Sequence, residues 1–216
     1  MATESDVHCQ RLEPSAGGVR FIWALLVFSQ AFFFLCDARA SDGRGPAQVM
    51  DAVAKSVLSP IDAHPDQYQA GSPKLNQLVN ATLMPYFDTN FAAQFVLGPY
   101  WRSASAKQRA LFVDGFSWLL LHNCANDLVQ FSADHLQVLP YRGDPSASYA
   151  TVDTKMHRRT GEVSDLSFSM RKTASGWKAY DVAIDGVSYD KGFRDDFQEE
   201  IEQKGLDELI SRLKQH

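Results

Sequence analysis

The sequence predicts an α+β protein with N-terminal helices, an antiparallel four-stranded curved meander sheet and C-terminal helices. Three observations lead to this fold class. Apolar residues recur every three or four positions through residues 46–132, as on the buried face of a helix. Between residues 136 and 184 the apolar period falls to two, which is typical of strands with one buried face. From residue 188 to the end of the chain the helical period returns.

The first predicted helix covers Pro46 to about Ser59, because Val49, Val53 and Val57 recur every four residues. The segment from Pro60 to Ser72 carries two prolines and a glycine, which favours a loop.

Two further helices are predicted from the residues at their ends. A helix over Pro73–Met84 would begin at Ser72 as N-cap, with proline as its first residue. A shorter helix over Asp88–Leu97 would be capped by Asp88 and stopped by Gly98-Pro99.

The longest helix is predicted from a capping box at Ser105–Gln108 through about Ser132. Its apolar residues form a stripe at four-residue spacing, which predicts that the helix lies across the sheet and buries one wide face. The stripe consists of Phe112, Phe116, Leu120, Cys124 and Leu128.

Four strands are predicted around Leu136–Val138 and over Ser148–His157, Val163–Lys172 and Trp177–Ile184. Alternation assigns one set of side chains to the inner face, namely Val152, Met156, Leu166, Phe168, Met170, Tyr180, Val182 and Ile184. A helix from Ser188 follows, and Gly205 separates it from a short last helix.

Residues 1–40 are interpreted as a leader and 41–216 as the functional domain. The run Phe21–Cys36 is almost wholly apolar but short for a bilayer span, and Ala38 and Ala40 form a cleavage pattern, so we expect cleavage between Ala40 and Ser41. The alternative is a retained membrane anchor. Residues 1–18 are acidic where a signal is normally basic, which suggests a gene-start error.

Composition excludes several classes of protein. The chain has 216 residues with a formal net charge of −5, which argues against nucleic acid as the main partner. Of its three cysteines, Cys124 alone would remain after cleavage, so no internal disulfide is expected and a buried thiol is the simplest interpretation.

No motif of catalysis, metal binding or cofactor binding is present. The six histidines lack the spacing of a zinc site, and there is no nucleophile elbow or glycine-rich phosphate loop. We therefore predict no catalytic residue, metal or cofactor. One alternative is an enzyme of isomerase or dehydratase type, which would need a polar dyad in a pocket. The candidates for that dyad are Asp153, Asp181, Asp185, His157 and Tyr180. Another alternative is a module that binds only protein.

An ordered set of segments resembles the MlaC family, also called toluene-tolerance proteins. The segments are Leu83–Asp88 (LMPYFD), Leu97–Arg102 (LGPYWR), Gly176–Ser188 (GWKAYDVAIDGVS), Phe193-Arg194 and Gly205–Leu213. They span nearly all of residues 41–216. The sequence departs from the family pattern in the long helix, which usually carries a tyrosine near the position of Cys124, and at Gly192-Phe193, where an Asn-Tyr pair is commoner.

The resemblance implies a cone similar to the nuclear-transport-factor-2-like fold, with helices over a curved sheet and an apolar cavity. Family members are soluble periplasmic carriers of glycerophospholipid. They shuttle lipid between an outer-membrane lipoprotein complex and an inner-membrane ABC transporter with an MCE-domain subunit, and so maintain the asymmetry of the outer membrane. The resemblance thus implies a monomeric carrier with lipid as cargo. Two tails would need a cavity at or above the upper end of the usual range of about 300–1,000 Å³.

If such a cavity is present, the inward strand residues and the helical stripe are candidates for its wall. The expected tail-binding residues are Leu97, Trp101, Phe116, Leu120, Val152, Met156, Leu166, Phe168, Met170, Tyr180, Val182, Ile184, Val187 and Phe193. Arg102 and Arg194 are candidates for contact with a headgroup or a partner, and an ordinary structural ion pair is the alternative for each.

Overall fold

The computed structural model describes residues 43–132 and 136–215. The predicted leader, its cleavage site between Ala40 and Ser41 and the gene-start hypothesis for residues 1–18 lie outside this part of the chain. Within it, helices precede and follow an antiparallel sheet, which confirms the predicted α+β class. None of the helices in these residues combines the length and the apolar character that crossing a bilayer requires.

The first helix, α1, runs over Pro46–Ala63 and is four residues longer than predicted. Pro60 lies inside it rather than at its end. A proline cannot donate the helical hydrogen bond at that position, which normally costs stability. Here the helix continues because the next residue, Ile61, is only 1% exposed and its burial offsets that cost.

The next helices begin where their caps predict. Ser72 accepts a hydrogen bond of 3.2 Å from the backbone of Leu75, and Asp88 accepts one of 3.1 Å from Phe91. The segments are α2 over Pro73–Thr82, a single 3₁₀ turn over Met84–Tyr86, α3 over Thr89–Leu97 and α4 over Pro99–Ser103.

Helix α5 covers Ala106–Leu128 and begins with the predicted capping box between Ser105 and Gln108. Its expected position across the sheet is wrong for most of its length. The stripe residues Phe112 and Phe116 are fully buried, but against the helices around them. A stripe specifies which face is buried and carries no information about the partner.

The sheet has five strands in the order β1-β2-β3-β4-β5, all antiparallel, rather than the four predicted. The additional strand, β5, is a two-residue strand that follows the turn at Asp185-Gly186, where φ is 51° and 83°. Positive φ at both turn positions suits a tight hairpin. Two residues show no alternation, so the sequence gives no sign of this strand. The strands are β1 Gln137–Val138, β2 Tyr149–His157, β3 Val163–Thr173, β4 Gly176–Ile184 and β5 Val187–Ser188.

A bulge in β4 corrects the face predicted for Tyr180. Ser169 pairs with Asp181 but Met170 pairs with Ala179, so Tyr180 is an extra residue in the ladder. The inward positions before it are therefore Trp177 and Ala179, which are both buried. The Tyr180 ring instead lies 6.4 Å from that of Tyr149, on the outer face of the sheet.

The chain ends in α6, over Tyr189–Lys204, and α7, over Leu206–Leu213. Ser188 caps α6 by accepting a hydrogen bond of 3.1 Å from Lys191. These helices close over α5, and α7 comes so near that a Cβ on Gly115 would lie 2.8 Å from the Cβ of Leu213.

The core is divided between the helices and the sheet. On the helical side, aromatic rings of α5 and α6 pack with centroid distances of 5.6–6.2 Å, and this group comprises Phe112, Phe116, Phe193 and Phe197. On the sheet side, α1 places Val49, Met50 and Val53 against the inner face of β2–β4. An apolar space lies next to this second contact.

Candidate functional site

An apolar cavity lies between α1, the C-terminal turns of α5, the inner face of β2–β4 and the start of α6. The centre of a water-sized sphere can occupy about 80 Å³ inside it, and the cavity is partly open to solvent. Its wall consists of Met50, Val53, Ala54, Val57, Leu58, Leu83, Cys124, Asp127, Leu128, Phe131, Met156, Leu166, Phe168, Val182, Ile184 and Tyr189.

The sheet contributes its wall through cross-strand pairs. Phe168 on β3 stands opposite Val182 on β4, and Leu166 stands opposite Ile184 in the same register. Residues paired in this way project on the same face of a sheet. The four side chains therefore form one continuous apolar surface beyond the bulge.

Helix α1 supplies the opposite wall. Val53 and Val57, one turn apart, are almost completely buried and face the cavity with Leu58. The valine spacing predicted this helix and its buried face, but it could not indicate that the face would border empty space. Leu83 and Phe131, which follow α2 and α5, are further wall residues that the sequence analysis missed.

The polar groups in the wall are gathered at one end, where α5 meets α6. The Tyr189 hydroxyl donates a hydrogen bond to Asp127 Oδ2. The Gln130 side chain donates a longer bond, of 3.3 Å, to Asp127 Oδ1. Both carboxylate oxygens thus have donors, and Cys124 lies in the same part of the wall, one turn earlier on α5.

Electrostatics keep these groups protonated. Burial, reinforced by the carboxylates of Asp127 and Asp190, raises the pKa of the Cys124 thiol to about 12. Burial and the hydrogen bond to Asp127 likewise raise the pKa of the Tyr189 phenol. Nucleophilic or basic catalysis needs the deprotonated form, so neither group is activated at neutral pH.

A buried carboxyl, Asp190, follows Tyr189 at the start of α6. It is 1% exposed, and neither of its side-chain oxygens has a hydrogen-bond partner in the described part of the chain. Burial, followed by the nearby charge of Asp181, raises its pKa to about 8. This carboxyl is therefore mostly neutral at pH 7.

The predicted tail-binding residues divide into four groups. Five line the cavity: Met156, Leu166, Phe168, Val182 and Ile184. Five others belong to the helical core: Leu97, Trp101, Phe116, Leu120 and Phe193. Val152 and Met170 are buried beneath α1, next to the cavity. Tyr180 lies on the outer face, and Val187 is 69% exposed on β5.

The other predicted functional residues lie away from the cavity. Arg102 and Arg194 border a separate surface hollow together with Trp101. Asp153 accepts a hydrogen bond from Ser167 on the outer face, whereas Asp181 binds the Ser188 hydroxyl and the Asp190 backbone. Within residues 43–132 and 136–215, no three His, Cys, Asp or Glu side chains gather closely enough to hold a metal ion.

Known proteins are similar in sequence to this chain. It is 27% identical over 185 residues to the intermembrane phospholipid transport system binding protein MlaC of Haemophilus influenzae, covering 84% of this chain and 86% of that protein. It is 24% identical over 184 residues to the toluene tolerance protein ttg2D of Pseudomonas putida, covering 85% of this chain and 83% of that protein.

A solved structure has a similar architecture. It is a phospholipid-binding protein from Ralstonia solanacearum in complex with a phospholipid, and it matches with a TM-score of 0.71 at 24% identity. The match covers 79% of this chain and 95% of the Ralstonia chain, which shows a shared fold. The family model described as MlaC protein matches residues 51–215, which is most of the sequence. The chain belongs to the MlaC family.

Proposed function

We propose that this chain is a periplasmic carrier that binds the acyl tails of a glycerophospholipid in its apolar cavity. In this proposal it shuttles lipid between an outer-membrane lipoprotein complex and an inner-membrane ABC transporter with an MCE-domain subunit, and so maintains outer-membrane lipid asymmetry. The observation that carries the proposal is the cavity itself, walled by apolar side chains of α1 and β2–β4. Family membership and the phospholipid bound by the Ralstonia protein support the choice of cargo.

The free energy of exposing lipid tails explains why such a cavity is needed. Two acyl chains contain about 30 methylenes, and each costs about 0.8 kcal/mol in water, so their transfer through an aqueous space would cost on the order of 20 kcal/mol or more. Apolar walls such as those formed by Phe168 and Val182 remove this cost. The charged headgroup is hydrated favourably and can remain outside.

The size of the cavity has a consequence for loading. Its volume of about 80 Å³ is well below the usual range of about 300–1,000 Å³ for small-molecule sites, and so below what two tails were expected to need. Loading therefore requires α1 to separate from the inner face of the sheet. The contact of Val53 with that face is apolar and non-directional, whereas an ion pair between Asp62 and Arg159 joins the C-terminal end of α1 to the rest of the chain.

The proposal includes no catalysis and no cofactor. The polar pair in the wall, Asp127 and Tyr189, is saturated by its own hydrogen bonds, and Cys124 keeps its proton. Residues 1–40 serve as a cleaved export signal in this scheme, and residues 41–216 act as a monomer in the periplasm.

Lipid extraction tests the proposal directly. The full chain is expressed with its own export signal in the native host, purified from the periplasm without detergent and extracted into organic solvent for mass spectrometry. We expect glycerophospholipid in a roughly equimolar amount, because a carrier with one cavity holds one cargo molecule. Folded protein that releases no lipid would contradict the carrier function and favour a module that binds only protein. Recovery of a small polar metabolite instead would favour the enzyme.

A further inference from the structure

A second concave surface lies on the helical side of the molecule, where the turn between α3 and α4 meets α6. We propose that this surface, which we term the arginine hollow, is the docking site for an acidic segment of a partner protein. It is bordered by Gln94, Gly98, Pro99, Trp101, Arg102 and Arg194. The inference deepens the proposed carrier function, since a carrier must dock to the complexes that load and unload it.

Within the described residues, the two arginines of the hollow have no acidic side chain at ion-pair distance. Neither Arg102 nor Arg194 forms an ion pair with any residue of 43–132 or 136–215. Arg109 adjoins them, because its guanidinium donates a hydrogen bond of 3.3 Å to the Arg102 carbonyl. Its Nε is buried and has no acceptor among the same residues. Three cationic groups in one corner of a chain with net charge −5 indicate an anionic partner.

Aromatic side chains are interleaved with these arginines. The Arg109 guanidinium lies 5.4 Å from the centre of the Trp101 ring, and that of Arg194 lies 5.3 Å from the Phe95 ring. Phe95 is 43% exposed, although it is a large apolar residue on a well-formed helix. Arginine, tryptophan and phenylalanine are enriched at the centres of protein interfaces, where lysine and acidic residues are depleted.

A glycine lets one of the arginines pack directly against the backbone turn. Gly98 has a φ of 51°, and a Cβ built there would lie 3.1 Å from Arg194 Nη2. The absence of a side chain therefore lets the Arg194 guanidinium rest against the turn. A guanidinium held in place loses little conformational entropy when it pairs with a carboxylate.

The shape of the hollow favours a protein segment over a membrane. A bilayer presents a broad surface to a peripheral protein, whereas a protruding loop or terminus can enter a concavity and bring a carboxylate between Arg102 and Arg194. Arginine forms paired hydrogen bonds with carboxylates, which suits this geometry.

The arginine hollow is also separate from the lipid cavity. Arg109 lies in the first turn of α5 and Cys124 in its last turns, so a helical rise of about 1.5 Å per residue places them about 22 Å apart. A headgroup held at the cavity would not reach the arginines. Docking at the hollow therefore leaves the cavity free to load or release its cargo.

Site-specific photocrosslinking in the native host tests the proposal. The probe is benzoylphenylalanine in place of Phe95, with the exposed outer-face residue Tyr149 as the control position. We expect the position-95 probe to mark a segment of a partner protein that carries Asp or Glu beside the crosslink, identified by sequencing the crosslinked peptide. Combining the probe with Arg102→Glu and Arg194→Glu should reduce the product about tenfold or more, because close charge pairs dominate such contacts.

Three controls make the experiment decisive. The exposed Arg142→Glu should leave the crosslink unchanged, and changing the crosslinked acid to Lys should restore it in the double variant. The double variant should retain its melting temperature and its co-extracted phospholipid, so loss of docking is distinguished from loss of the proposed cargo. A crosslink to lipid, a crosslinked segment without acids, a product that survives the double substitution, or no product at position 95 would each overturn the proposal.

Discussion

The backbone N–H of Asp190 donates a hydrogen bond of 3.1 Å to Asp181 Oδ1, while the carboxyl of Asp190 itself has no hydrogen-bond partner among the described residues. The second oxygen of Asp181 accepts from the Ser188 hydroxyl at 2.8 Å. Asp181 thus holds the start of α6 through two hydrogen bonds, whereas the carboxyl of Asp190 is buried beside it without a hydrogen bond from the described residues. Because like charges repel and burial disfavours ionisation, Asp190 holds a proton that an exposed aspartate would lose.

This buried carboxyl predicts a specific dependence of stability on pH. The pKa of Asp190 rises from 3.8 to about 8 on folding, so between these values the unfolded chain releases a proton that the folded chain keeps. The contribution of Asp190 to stability therefore falls as pH rises from 3.8 to about 8 and is constant above. We expect Asp190→Asn to raise the free energy of unfolding by at least about 1 kcal/mol at pH 9 and by little at pH 4.

Urea denaturation at several pH values measures this effect. Asp195→Asn, an exposed aspartate on the same helix, serves as the control and should follow the wild-type pH profile. If Asp190→Asn and the wild type lost stability in parallel from pH 4 to pH 9, the carboxyl would be charged in the folded protein.

A bulky side chain in the cavity wall should block the cargo. Val182→Trp places an indole in the space opposite Phe168, whereas Val187→Trp makes the same change on the exposed strand β5, only five residues away. We expect the first variant to lose most of its co-extracted phospholipid and to keep its melting temperature within a few degrees, because the added atoms occupy empty space. The second should load like the wild type. Equal loading of the two variants would show that the cargo binds elsewhere.

The hydrogen bond at the polar end of the cavity should matter for stability rather than for chemistry. Tyr189→Phe removes a donor from the Asp127 carboxylate, which we expect to lower the free energy of unfolding by about 1–2 kcal/mol while phospholipid still co-purifies. Tyr149→Phe, on the exposed outer face, should change it by less than about 0.5 kcal/mol. A Tyr189→Phe protein that is fully stable but contains no lipid would assign the hydroxyl to cargo binding instead.

Close packing between α5 and α7 should make Gly115 intolerant of any side chain. A Cβ at this position would lie 2.8 Å from the Cβ of Leu213 and 3.2 Å from its carbonyl oxygen, so Gly115→Ala must push α7 outward. We expect a loss of about 1–3 kcal/mol in the free energy of unfolding. Gly192→Ala is the matched control, since no atom lies within 4 Å of its Cβ and the residue is inside α6. That change should stabilise the protein by up to about 1 kcal/mol. Similar effects of both substitutions would contradict the close helix contact.

Local chemistry made several helix starts predictable from the sequence. Ser72, Asp88, Ser105 and Ser188 each accept the hydrogen bond that their position before a helix implies. A cap acts within three residues of its own position, so whether its hydrogen bond forms depends little on the rest of the fold. The strand alternation was equally reliable along β2, where a regular ladder preserves the period of two.

Features that depend on distant contacts could not be predicted in the same way. Phe116 and Leu120 are buried as the stripe indicated, yet they face other helices rather than the cavity. The bulge at Tyr180 is set by the pairing of β4 with β3 and reverses the alternation without any signal in the sequence. Strand alternation identified cavity residues on the C-terminal side of the bulge, such as Val182. It could not identify Val53, because the helix that faces the sheet is determined by the tertiary fold.

The division of the core has a mechanical consequence. The phenylalanine rings of α5 and α6 form a solid interior that needs no cargo to complete it, whereas the sheet side surrounds a space. A molecule whose only core were a cavity would lose much of its cohesion each time it released its contents. If the chain carries lipid as proposed, the ring packing of the helical half would stay intact whether the cavity is filled or empty, so loss of cargo would disturb only the contacts between α1 and the sheet.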